Sequence, residues 1–62
     1  MNFVTINFLD PTESRRNYTN VTNVNSEGNY LTITIFADNE EIEHNISNSR
    51  VEHYSVQPMR EQ

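Results

Sequence analysis

The chain has 62 residues, with nine Asp and Glu, four Arg, no Lys and no Cys. One domain is the most that this length can build, and such a chain buries only about 60% of the surface its unfolded form exposes. A net charge of −5 argues against direct nucleic-acid binding, which needs a basic surface to neutralise phosphates. Without disulfides or a Cys-His zinc pattern, self-association is the expected source of extra stability, so a homo-oligomer is predicted.

Asn2 to Leu9 reads as the first strand. Val4, Ile6 and Phe8 share one face, and Phe3 and Leu9 lie on the other. This pattern predicts burial on both sides, or an edge that pairs with another chain. The segment lacks a basic start, so it reads as a strand and not as a signal peptide, and it is too short to span a membrane. Absence of cysteine fits a reducing cytosol, and a cytoplasmic location is expected.

Pro11 ends this strand, and Asp10 to Asn17 forms the longest connection, with Asp10 or Thr12 able to cap a short helical turn. Tyr18 to Asn25 reads as the second strand. Val21 and Val24 are three apart, which strict alternation would put on opposite faces. A helix is rejected because Thr and Asn dominate the segment. A β-bulge near Thr22-Asn23 would bring both valines inward. Gly28, the single glycine, supplies the positive φ of the following turn. Sequons at Asn17, Asn20 and Asn45 reflect an Asn-rich and Thr-rich composition rather than glycosylation.

Tyr30 to Ala37 is the clearest strand. Leu31, Ile33, Ile35 and Ala37 point one way, and Thr32 and Thr34 the other. Asp38 to Glu41 is a polar turn, Ile42 to Ile46 a fourth strand, Asn48-Ser49 a second tight turn, and Val51 to Val56 a fifth strand. Even-length loops would set Ile35 opposite His44, Ile33 opposite Ile46 and His44 opposite His53 in a three-stranded meander. Tyr30, Phe36, Tyr54 and Val56 would then share the reverse face with Glu43, Asn45 and Glu52. Residues 1–58 form one domain, and residues 59–62 a frayed tail. The fold class is all-β: a small antiparallel meander of four or five strands, either a curled sheet or an SH3-like small barrel.

Catalysis finds no support in these residues. There is no cysteine or lysine nucleophile, no nucleophile elbow, and no glycine-rich phosphate loop. A cross-strand pair of His44 and His53 reads as neutral and structural, and no cofactor or metal is expected. What remains is surface. Tyr30, Phe36 and Tyr54 form an aromatic face, and Asp38, Glu40, Glu41, Glu43 and Glu52 an acidic rim. Together they suit a protein partner that is basic or itself binds nucleic acid.

Val21-Thr22-Asn23-Val24, Leu31-Thr32-Ile33-Thr34-Ile35, Asn45-Ile46-Ser47 and Tyr54-Ser55-Val56 follow one another at hairpin spacing. In this style residues 18–58 resemble the short all-β accessory proteins of bacteriophages and bacterial mobile elements; the lack of lysine departs from them. The resemblance implies an accessory protein that binds a host protein or a virion component. It extends to an inhibitor of a host enzyme or defence factor, with acidic side chains imitating DNA phosphates. It assigns no functional residue. A structural subunit of a homo-oligomeric or virion assembly, and an oligomer that binds a small molecule at subunit boundaries, are the alternatives.

Overall fold

Period-2 alternation takes the form of five antiparallel strands in a single sheet. They are β1 (Asn2–Phe8), β2 (Arg16–Glu27), β3 (Tyr30–Ala37), β4 (Glu40–Ser47) and β5 (Val51–Pro58). The structure is a computed structural model that describes residues 1–59. Beyond Met59, the tail expected over 59–62 lies outside the described residues. No helix among the described residues is long and apolar enough to cross a membrane.

The strand order is β4-β3-β2-β1-β5. The first four strands form the expected meander, but β5 pairs with β1 and not with β4. This corrects the expected β3-β4-β5 sheet. The physical cause is the connection at Asn48–Arg50, which is a 3-10 turn and not a hairpin loop. The Asn48 N–H donates to the Asn29 carbonyl at 2.8 Å, and the Leu9 N–H donates to the Arg50 carbonyl at 2.9 Å. The turn is thereby tied at one side to the β2–β3 loop and at the other to the end of β1. It carries the chain across the end of the sheet. β1 is flanked on both edges by strands of its own chain, so it does not need a second chain.

The core lies on one face. Val4, Ile6, Val21, Leu31 and Ile33 are fully buried, with Phe8 and Ile46 nearly so, and Tyr18, Val24, Ile35 and Val51 pack around them. Full burial of an aliphatic side chain stabilises by about 1.5–3 kcal/mol. Few such residues are present, so β1 and β3, which supply most of them, dominate the stability.

β2 is bent. Its register with β3 shifts between Val21 and Asn23, leaving Thr22 as the extra residue, and the Thr22 hydroxyl donates to the Thr34 carbonyl at 3.4 Å. This is the bulge that the valine spacing requires. Its register with β1 also shifts, beside Asn20, whose φ of 57° is left-handed. Bulges increase local bend and twist. The first half of β2 therefore pairs with β1 and the second half with β3. The sheet curls enough for the Tyr18 ring on β2 to meet the His44 ring on β4 at 5.4 Å, although β3 lies between those strands in the ladder. β4 and β5 remain unpaired with each other, so the curl does not close into a barrel.

Both hairpin loops have two residues. Gly28 sits first in the β2–β3 loop with φ 61°, followed by Asn29. Asp38 and Asn39 join β3 to β4 with φ of 52° and 62°, the backbone of a type I′ turn. That loop is centred one residue earlier than expected. Ile33 therefore faces His44, and Ile35 faces Ile42. A slip of two residues leaves each side chain on its expected face.

Candidate functional site

The alternation of β3 puts Tyr30, Thr32, Thr34 and Phe36 on the face opposite the core. Cross-strand register then adds β4 residues to this outer face: Glu41 opposite Phe36, Glu43 opposite Thr34, Asn45 opposite Thr32 and Ser47 opposite Tyr30. From β2, Asn25 faces Thr32 and Glu27 faces Tyr30. The Thr32 hydroxyl donates to the Asn45 side-chain oxygen at 2.7 Å, which fixes the middle of the face. Tyr30 is 55% exposed and Phe36 36% exposed, so both rings are available to a partner. Asp38 lies in the turn at the hairpin tip, and Glu40 stands opposite Ala37 and so on the core-side face there; both are exposed.

Six of the eight expected site residues therefore belong to one hairpin: Tyr30, Phe36, Asp38, Glu40, Glu41 and Glu43. The other two do not join them. Tyr54 faces Ile6, and Val56 faces Val4, which puts Tyr54 and Val56 on the core face at the far edge of the sheet. Glu52 stands at a register shift in β5, where its carboxylate lies 3.4 Å from His53 Nδ1. The pairing of β5 with β1 causes both corrections. It also separates the histidines. His44 lies against Tyr18 on the core side, whereas His53 Nε2 lies 3.0 Å from the Asn7 amide on the outer face of β1.

Electrostatics set the hairpin apart. Arg16 and Arg50 lie elsewhere: their guanidinium groups stack on Phe8 at 5.3 and 5.4 Å from the ring centre. Arg50 also bonds Glu13 at 2.6 Å. The Arg16 side chain also reaches the Tyr18 hydroxyl at 3.5 Å. Among the described residues, none of Asp38, Glu40, Glu41 and Glu43 forms an ion pair. Among those residues their charges add without compensation. In the long connection, the Asp10 carboxylate accepts hydrogen bonds from the Thr12 backbone N–H at 2.9 Å and hydroxyl at 2.8 Å. These two bonds, the backbone one foremost, hold the Asp10 carboxyl below its ordinary range.

Asn25, Glu27, Tyr30, Thr32 and Asn45 also line a shallow, open depression on the outer face. Asn25 and Glu27 were not singled out from sequence. The signal that finds them is the two-residue Gly28-Asn29 loop, which fixes the β2–β3 register. No protein-family model, curated protein or solved structure matches this chain.

Proposed function

We propose that the chain is a non-catalytic protein-binding module that works through the outer face of the β3–β4 hairpin. Tyr30 and Phe36 supply apolar anchors, and Glu41 and Glu43 on that face, with Asp38 and Glu40 at the hairpin tip, supply the charge that selects a basic partner. The observation that carries this reading is the register, which sets exposed Phe36 against Glu41 beside acids that have no ion-pair partner among the described residues. Aromatic anchors ringed by charge match the anatomy of protein interfaces. The sharper form of the reading is an inhibitor that covers a nucleic-acid-binding surface of an enzyme, its carboxylates standing where phosphates bind. Resemblance to phage accessory proteins agrees with that form.

The test is affinity capture by the immobilised chain and its variants. Joint replacement Asp38→Asn, Glu40→Gln, Glu41→Gln and Glu43→Gln is expected to abolish salt-sensitive capture of a basic protein. Phe36→Ser is expected to weaken it, and Tyr54→Ser to leave it intact. Capture that survives neutralisation of the four acids contradicts the reading.

A further inference from the structure

We infer that a second copy of the chain pairs with the outer edge of β5, antiparallel, about a two-fold axis at Ser55. The hydrogen-bond alternation of β5 leads to this arrangement. The Met59 N–H donates to the Met1 carbonyl at 3.0 Å, so the Met1–Met59 pair is a hydrogen-bonded one. Bonded and non-bonded pairs alternate along an antiparallel ladder. Gln57, Ser55 and His53 therefore direct their backbone groups to β1, and Pro58, Val56 and Tyr54 direct theirs outward. Pro58 has no N–H to donate, which agrees with its outward position.

Tyr54 and Val56 thus combine two unused features. Their backbone N–H and C=O groups face away from the sheet. Their side chains lie on the core face, yet are 40% and 44% exposed, although they stand opposite fully buried Ile6 and Val4. An edge strand of this kind is a template for another strand.

Self-pairing about Ser55 uses both features. Tyr54 faces Val56 of the second copy, and each such pair exchanges both backbone bonds. The apolar side chains extend the core across the axis, while Ser55 meets Ser55 and His53 meets Gln57 on the outer face. The window His53 to Gln57 contains no Asp, Glu, Arg or Lys, so two copies of an acidic chain approach there without like-charge opposition. Near its acidic end the β4 edge opposes the same arrangement. Self-pairing centred on Ile42 sets Glu41 against Glu43, and centring on Glu43 sets it against itself. The inference rests on edge geometry and charge, independently of the partner-binding reading, and it leaves the outer face of β3–β4 uncovered.

Sedimentation velocity on the full chain over a concentration series is the first test. A concentration-dependent dimer is expected, and Val56→Pro, which removes only an outward N–H, is expected to lose it. A monomer at every concentration overturns the inference. Because Val56→Pro can also perturb folding, a second variant tests the register. The chain has no cysteine, and a non-bonded antiparallel pair brings its Cβ atoms to about 4.5–5.5 Å. Ser55→Cys is expected to form a disulfide-linked dimer under mild oxidation, with Glu43→Cys staying monomeric. Absence of cross-linking in Ser55→Cys, or equal cross-linking in both, overturns it.

Discussion

The two edges of this sheet are built from opposite chemistry. On β4, the two-residue turn makes Ala37–Glu40 a bonded pair, so Glu41, Glu43 and Asn45 turn their backbone groups outward. Those positions also carry two of the hairpin's acids, and any strand that approaches must desolvate and oppose them. On β5, the outward positions are Tyr54 and Val56, with apolar side chains and no charge. The same free backbone edge is guarded in one place and open in the other. On the two proposals made above, the acidic hairpin meets a basic partner and the neutral edge a second copy.

Removing the floor beneath the neutral edge has the largest expected effect. Ile6 is fully buried and faces Tyr54, so Ile6→Ala is expected to cost about 2–5 kcal/mol. A core this small supplies roughly 3–5 kcal/mol in total, so the cooperative urea transition should disappear. A retained transition near the wild-type midpoint would mean that β1 is not the shared support. Next, Glu41→Thr with Glu43→Thr strips the guard from β4. With both edges open, each copy can extend in two directions, and species larger than a dimer are expected in sedimentation. A size distribution unchanged from wild type would show that charge does not distinguish the edges.

A smaller effect is expected where the chain crosses from one edge to the other. The Asn48 amide donates to the Gly28 carbonyl at 3.1 Å, and its backbone N–H bonds Asn29, so the Gly28 turn anchors the crossing. A Cβ added at Gly28 meets nothing within 4 Å, and φ is +61°. Gly28→Ala therefore carries only a backbone cost, about 1–2 kcal/mol, read as a lower denaturation midpoint with assembly retained. The smallest effect lies away from both edges. Folding lowers the Asp10 carboxyl below its ordinary value of about 3.9. Its contribution is present above that value and is lost as pH falls through the lowered folded value. Thr12→Ala should flatten stability below pH of about 4 without altering assembly at neutral pH; an unchanged acid limb would remove this assignment.

Much of this was legible in the sequence wherever period 2 governed. The alternation in β3 located its two faces, and the Val21–Val24 spacing located the bulge at Thr22. Even loop parity kept Phe36, Glu41 and Glu43 together despite a register displaced by two residues. What could not be read was the partner of β5. Asn48–Arg50 has hairpin length, and only its bonds to Asn29 and Leu9, remote in sequence, turn it into a crossing. The face of Tyr54 depends on that crossing, which is why an aromatic patch expected to be continuous is divided between two surfaces.

Concentration-dependent backbone amide exchange compares the two edges in one experiment. The Tyr54 and Val56 amides are expected to exchange quickly in dilute solution and gain protection as concentration rises, while those of Glu41 and Glu43 stay unprotected throughout. Protection that never depends on concentration, or that rises on β4 instead of β5, would contradict this expectation.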